Sequence, residues 1–527
     1  MVKVHPVLVD GSWRPSRGET AFRAVDPATG AFLPEEYPVS PWTEIAGAVE
    51  AGARAAGEMA ALGPGPAARF LDIFAGLIER RKDELVAAAH AETALPAEPR
   101  LGSVELPRML DQLRQAAAAC RERSWCRATI DTKAGLRSMY GPLGGPVVVL
   151  GPNNFPFAYN AVGGGDFAAA LAAGNPVLAK SHPGHPGTTA ILAGAAREAV
   201  AAAGLPRAAV QLLFHFASGD GLRLVAHPAV GATAFTGSRP AGLALKEAAD
   251  RAGKPVYAEM SSANPVFVLP GALEERGEAI AAELFRSCTT AAGQMCTKPG
   301  LAIVPAGGAG RAFVAAVKAA FERSEPAVLL SSSVLDGLRR AADRLAAAGA
   351  ERLAGGGEPE GPGFRFAPAL FLMTGARFLE DPAAFQVESF GTLSVVVLAA
   401  DTDEMAVIAA RLEGQLTGSV YSHADGRDDR DYAALEPVLR VKVGRLLNDR
   451  MPTGVAVSPA MNHGGPFPAT GHPGFTAVGL PAAMLRFAAL RCYDHVREHR
   501  LPVELRDGNP TGAMGRLIDG EWTTRSV

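Results

Sequence analysis

The feature that most constrains the fold is a rhythm running through residues 145–260. Short apolar runs recur there: GPVVVLGP at 145–152, PVLAK at 176–180, VQLLFHF at 210–216, ATAFTG at 232–237 and VYAEM at 256–260. A strand with one wet face alternates apolar and polar residues. A run that stays apolar reads as a strand covered on both faces, the habit of parallel sheets. Between the runs lie stretches of helical character: AVGGGDFAAALAAG, the segment from Thr188 to Gly204, and residues 239–252. Strand–helix alternation predicts crossover units, hence an α/β chain on a parallel, Rossmann-like sheet. After Asn264 the rhythm returns more loosely. It gives a strand at FVLPG, a helix over 272–292 and a strand over 300–305. Helices over 309–322 and 332–349 and strands over 394–399 and 418–422 follow. At 527 residues the chain exceeds one ordinary core, so a second parallel-sheet lobe is expected.

The flanks are read from the same periodicities. Residues 7–33 read as short strands with turns, and helices are expected over 42–59, 67–91 and 104–122. The glycines from 355 to 363 mark a surface turn region. The tail from about Phe487 is Arg-rich and irregular, and is expected to pack on a partner subunit.

A net charge of -3 leaves no basic footprint for nucleic acid and no polybasic patch for a membrane surface. No apolar run approaches the ~18 residues of a spanning helix, and the opening MVKVHPVLVDGSW is too broken for a signal peptide. Five cysteines, at 120, 126, 288, 296 and 492, form no even framework, which points to free thiols in a reducing cytoplasm.

Ligands of parallel sheets gather at the C-terminal ends of the strands. Four sequence features fall at such ends, and each has a bland alternative. GPNNFP (151–156) offers fixed amide donors for an oxyanion, or an ordinary Asx turn. Lys180 is a cofactor ligand or a solvated strand end. FTGSRPAG (235–242) lets backbone N–H groups and a helix N-terminus approach a pyrophosphate, or is a common glycine turn. Glu259 is a general base or an ion-paired glutamate. The histidines of SHPGHP, His182 and His185, lack a third ligand at suitable spacing, so no metal site is expected; a contact to a ribose or 2′-phosphate is the better functional reading. Cys296, in GQMCTKPG, is either a quiet buried thiol or a nucleophile.

Taken in order, the glycine–asparagine loop, the strand-end lysine, FTGS, the strand-end glutamate, GQ-x-C and E-x-F-G resemble the aldehyde dehydrogenase superfamily over essentially the whole chain. The resemblance implies two Rossmann-like parallel-sheet domains and a small oligomerisation element. On it, residues 1–123 and 146–258 would bind the dinucleotide, 259–486 would form the catalytic domain, and 124–145 with 487–527 would join subunits into a homodimer or homotetramer. It casts Cys296 as nucleophile, Asn154 as oxyanion donor and Glu259 as general base. It sets Lys180, Gly237, Ser238, Gly242, Glu388 and Phe390 against the cofactor, with Leu150, Gly151, Pro152, Asn153 and Met260 beside them. Phe157, Tyr159, His463 and Phe467 fall along the substrate tunnel, and Arg286 is the candidate cation for an acidic substrate.

Two departures carry meaning. The usual E-L-G-G reads Glu259–Met260–Ser261–Ser262, and the acid that follows the lysine by three positions is replaced by Pro183. Without that acid a 2′-phosphate is not repelled, and Lys180, Ser181 and His182 offer donors. NADP is therefore expected, with NAD also accepted. AEMSSANPVFVLPGAL, KSHPGHPGTT and MPTGVAVSPAMNHGGPFPAT resemble the α-ketoglutarate semialdehyde dehydrogenases and their NADP-dependent fatty aldehyde relatives. The expected reaction is oxidation of an aldehyde to an acid through a cysteine thiohemiacetal and thioester, on α-ketoglutarate semialdehyde or a medium- to long-chain fatty aldehyde. A non-catalytic binding relative, or a cofactor-free cysteine esterase, are the alternatives from other classes.

Overall fold

The computed structural model describes residues 4–527. Its first sheet contains the five apolar runs, in the order Val256–Glu259, Ala232–Thr236, Val147–Leu150, Val177–Lys180, Val210–Leu213, all parallel. Val7–Val9 and Ser12–Arg14 extend it antiparallel at one edge. The chain enters in the middle, builds towards one edge, then returns to build the other. Strand order therefore reverses between Val147–Leu150 and Ala232–Thr236, and a crevice at such a reversal is where open α/β sheets take ligands. Helices cover both faces, so Val147, Val148 and Val149 are fully buried, as their unbroken apolarity requires.

The second sheet runs Glu351–Ala354, Ala369–Thr374, Leu393–Ala399, Leu301–Pro305, Val266–Val268, Gln415–Tyr421, Val443–Asn448, parallel except for its first strand. The α/β class with parallel sheets is thus observed. Among the described residues, no helix is long and apolar enough to cross a membrane.

The structure differs from the sequence reading in three places. The helix expected over 67–91 is two, Gly65–Arg80 and Lys82–Thr93, because Arg81 leaves helical geometry and its N–H bonds back to Ile78. The helix expected to reach residue 292 ends at Thr289, where the backbone turns into left-handed conformations at Ala291, Ala292 and Gly293. The tail is not irregular. Ala488–Asp494 pairs antiparallel with Leu136–Pro142 of its own chain, from Ala488 opposite Pro142 to Asp494 opposite Leu136, and Arg516–Ile518 and Glu521–Thr523 complete a five-stranded sheet. Arginine is what orders it: the fully buried Arg516 donates to the carbonyls of Arg506 (2.6 Å), Asp507 (3.0 Å) and Arg525 (2.8 Å). Arginine-rich composition reads as surface, yet these guanidinium donors tie three stretches of backbone together.

Candidate active site

The strand Val256–Glu259 ends with its last carboxylate at the mouth of the crevice, buried and aligned beside Thr236. The loop after Thr289 brings Cys296 to the same point from the second lobe, and residues 462–463 bring His463. The three ligand atoms of Glu259, Cys296 and His463 all lie within 4.8 Å of one another. His463 Nε2 stands 3.3 Å from Cys296 Sγ and 3.1 Å from Glu259 Oε1. One imidazole nitrogen thus faces both the thiol and the carboxylate, where the sequence had set His463 along the tunnel wall. Burial pushes the Cys296 thiol well above its ordinary pKa, and the carboxylates of Glu259 and Glu388 push it further, while the Arg108 guanidinium pulls it back. This direction favours the protonated sulfur, and His463 Nε2 is the ring nitrogen beside it.

Asn154 reaches the nucleophile loop, where its side-chain amide donates to the carbonyl of Gln294 at 2.9 Å, leaving its second N–H uncommitted. The loop that carries it is fixed by Glu105, whose Oε1 accepts the N–H groups of Phe157 (2.8 Å) and Ala158 (3.0 Å). Asn264 holds the nucleophile's own backbone: its amide donates to the carbonyls of Cys296 (2.8 Å) and Lys298 (3.0 Å). Gln415 holds Asn264 in turn, its Oε1 accepting from Ala263 N at 2.6 Å, Asn264 N at 3.2 Å and Ser262 Oγ at 3.0 Å. Glu105, Asn264 and Gln415 escaped the sequence reading. The only trace was Asn264 before a proline; nothing in the sequence marks a buried glutamine that accepts three bonds.

The residues that the resemblance sets against a cofactor fall along the strand ends. Gly151 packs so tightly that a Cβ there would meet the Tyr159 carbonyl at 2.5 Å. The Pro152 carbonyl accepts from His185 Nε2 at 2.9 Å, and Asn153 packs near Gly184. Leu150 lines up with Lys180 across the sheet. Burial lowers the Lys180 ammonium to about 8, and among the described residues no carboxylate pairs with it. Ser181 is buried and donates its hydroxyl proton to the His182 carbonyl. His182 Nδ1 accepts from Gly184 N at 3.0 Å, so its other ring nitrogen is the N–H. Gly237 donates its N–H to the Glu259 carbonyl, and Ser238 opens the helix Arg239–Arg251 without a side-chain cap, so the first helical amides keep their hydrogens for a ligand. A Cβ at Gly242 would meet Met260 at 2.8 Å, which fits this helix tightly onto the strand end. Burial raises Glu388 to about 7, opposed by hydrogen bonds from the Ser261 side chain and Ser262 N–H. Phe390, two residues on, packs against the first lobe. A crevice with an uncapped helix, an unpaired lysine and a half-buried carboxylate fits a dinucleotide.

The substrate residues divide. Tyr159 sits against the site, its ring centroid 6.0 Å from that of His463. Phe157 is fully buried in the core of the first lobe. Phe467 is 65% exposed, in a separate groove beside Arg239 and Leu412, because its loop passes outside the crevice. Arg286 is exposed on the rim of a cavity of about 920 Å³ that opens between the helix Leu106–Glu122 and residues 449–457. Cys288, the other cysteine of this region, is fully buried and accepts from Ser394 Oγ at 3.0 Å.

Comparison with known proteins agrees with this geometry. The profile of the aldehyde dehydrogenase family matches residues 13–443. Alpha-ketoglutaric semialdehyde dehydrogenase 2 of Azospirillum brasilense is 41% identical over 466 residues, covering 86% of this chain and 87% of the relative. Alpha-ketoglutaric semialdehyde dehydrogenase of Acinetobacter baylyi is 37% identical over 467 residues, with coverage of 86% and 87%. Among solved structures, 1-pyrroline-5-carboxylate dehydrogenase from Thermus with bound NAD superposes with a TM-score of 0.80 at 23% identity, over 93% of each chain.

Proposed function

The chain belongs to the aldehyde dehydrogenase family, an oxidoreductase family that uses NAD(P) and acts on aldehydes, and from that premise we propose that it oxidises α-ketoglutarate semialdehyde to 2-oxoglutarate with NADP, NAD serving less well. The observation that carries the reading is the single point where Cys296 Sγ, His463 Nε2 and Glu259 Oε1 meet. The relatives named for this semialdehyde, at 41% and 37% identity, support the substrate.

His463 takes the thiol proton and holds it until the sulfur is released from the acyl group, so Glu259 beside it stays ionised for the second step. The thiolate attacks the aldehyde carbon. The resulting oxyanion is met by the free N–H of Asn154 and the backbone N–H of Cys296; one well-placed donor of this kind contributes about 3 kcal/mol. The bound dinucleotide supplies the hydride acceptor, held by Lys180, the amides after Ser238 and Glu388. Glu259 then draws a proton from water as it attacks the thioester on Cys296. The neutral His182 N–H and Lys180, with Pro183 in place of an acid, favour the 2′-phosphate, while Ser181 keeps its hydroxyl on the His182 carbonyl.

The first lobe, from residues 1–123 and 146–258, serves as dinucleotide-binding domain; residues 259–486 serve as catalytic domain. Residues 124–145 and 487–527 join subunits. The five free cysteines support a reducing, cytoplasmic setting. The deciding experiment is a steady-state panel of α-ketoglutarate semialdehyde, succinic semialdehyde and hexanal, each with NADP and with NAD. The reading requires the highest kcat/KM for α-ketoglutarate semialdehyde with NADP. A clear preference for hexanal would transfer the protein to the fatty aldehyde class, and reduced nucleotide with no aldehyde would refute both.

A further inference from the structure

The cavity beside the helix Leu106–Glu122 has an unbalanced charge. Each acid on its wall has a partner: Glu105 pairs with Arg100, Glu283 accepts from the Tyr421 hydroxyl at 2.7 Å, and Asp449 pairs with Arg276 at 2.5 Å. Asp111 is exposed and accepts from Gln115 at 3.0 Å. The cations are less settled. Arg100 is committed to Glu105 and to the Asn154 carbonyl. Arg108, Arg286 and Arg450 have no carboxylate within ion-pairing distance among the described residues.

Of these three, Arg108 alone is drawn inward. Its guanidinium lies 5.8 Å from the Phe155 ring centroid and 5.5 Å from that of Tyr159, and Nη2 donates to the Tyr159 hydroxyl at 3.2 Å. Its Nε is buried with no hydrogen-bond partner. A buried N–H left without an acceptor is costly, so it marks a place where one is expected to arrive. The Tyr159 ring lies tilted against that of His463, which touches Cys296, so one aromatic side chain separates this guanidinium from the catalytic cluster. Arg286 and Arg450 are exposed at the rim, where they attract anions without fixing one.

We propose that Arg108 binds the distal carboxylate of the substrate, so that the site is built for ω-oxo carboxylic acids held with the aldehyde towards Cys296. The guanidinium is a planar fork that matches a carboxylate with two parallel bonds, and the aromatic walls of Phe155 and Tyr159 keep water from competing. The proposal rests on the aldehyde-oxidising reading above and narrows it, replacing the exposed Arg286 by a residue on a different helix.

The test compares wild type with R108Q and R108K, using α-ketoglutarate semialdehyde and pentanal as substrates and glutarate as an unreactive dicarboxylate probe. In R108Q the ratio of kcat/KM for the semialdehyde to that for pentanal should fall about 10- to 100-fold, the range expected for a charge-assisted pair. R108K, with the charge but not the fork, should fall between. Competitive inhibition of pentanal oxidation by glutarate should weaken in R108Q by a similar factor. A purely structural role for Arg108 would lower both substrates together and leave the ratio unchanged, which overturns the proposal, as would equal glutarate inhibition in wild type and R108Q. If glutarate inhibits through Arg108 while wild type does not prefer the semialdehyde, the carboxylate site stands and the substrate named above falls.

Discussion

At the residue scale, the site solves the problem of ionising a thiol that burial holds protonated. The proposed base is His463, and its removal should be visible before any turnover. His463→Gln should slow alkylation of Cys296 by iodoacetamide near neutral pH and lower kcat about 10²-fold, the usual worth of positioned proton transfer. Unchanged alkylation would leave the histidine without a role. The same three atoms suit zinc, which accepts Cys, His and Glu ligands. Added zinc should therefore inhibit, a chelator should restore activity, and His463→Gln should be less sensitive; equal sensitivity would argue against the cluster. Lys180 gives a pH dependence whose sign is fixed. Burial lowers it to about 8, so it loses its charge as pH rises through 8, and the KM for NADP should climb above that pH. A KM that is flat from pH 7 to about 9 would remove Lys180 from the phosphate. Cys296, Glu259 and Asn154 were singled out by the order of motifs that resembles the aldehyde dehydrogenases, no one of them being decisive alone, and the structure brings their segments together. Arg108 was not singled out. It lies in the first turn of the helix Leu106–Glu122, among residues that read as an ordinary amphipathic face, and only the fold aims it at Tyr159.

At the element scale, the nucleophile loop is the most constrained piece of backbone. Ala291 and Ala292 adopt left-handed φ of 51° and 56°, uncommon for residues with a Cβ, and Gly293 follows at 68°. A Cβ on Gly293 would lie 2.4 Å from the Gly391 backbone, so this glycine is demanded by the approach of the two segments. The loop's other support is Gln415. Gln415→Ala would orphan the buried N–H groups of Ala263 and Asn264, while the Ser262 hydroxyl keeps Asn264 Oδ1 at 2.9 Å. We expect a loss of about 1–3 kcal/mol per unsatisfied group, read as a lower urea midpoint, together with reduced kcat. A stable variant with normal kcat would show that the network does not position Cys296. The five parallel strands of the first sheet were readable because burial on both faces keeps them mostly apolar, with Lys180 and Glu259 left to their C-terminal ends. Val443–Asn448, at an edge and half exposed, carries Arg445 and Asn448, and so lost the apolar run that marks the others.

At the scale of the whole molecule, the chain end is tied to the core by Arg486, fully buried, 2.8 Å from Asp166 and stacked between Phe475 and Phe487. Arg486→Ala leaves that carboxylate without its cation. It should cost about 3–5 kcal/mol, seen as a fall in denaturant midpoint; a fall under about 1 kcal/mol would show the pair to be dispensable. The strand Ala488–Asp494 is the outer edge of its sheet, and Leu490 on it is 60% exposed. An open seven-residue edge invites pairing with a second copy. Leu490→Pro should shift the sedimentation of the native protein towards the monomer, and an unshifted boundary would place the interface elsewhere. The tail's order was hidden because its arginines bond backbone carbonyls, an arrangement composition alone does not signal. The central claim is that Cys296 attacks and Glu259 deacylates at one shared point. Rapid mixing of the enzyme with NADP and α-ketoglutarate semialdehyde tests it directly. Glu259→Gln should give a burst of reduced nucleotide matching the number of active sites and then stall, while Cys296→Ala gives none. A burst from Cys296→Ala, or full steady turnover by Glu259→Gln, would contradict the account.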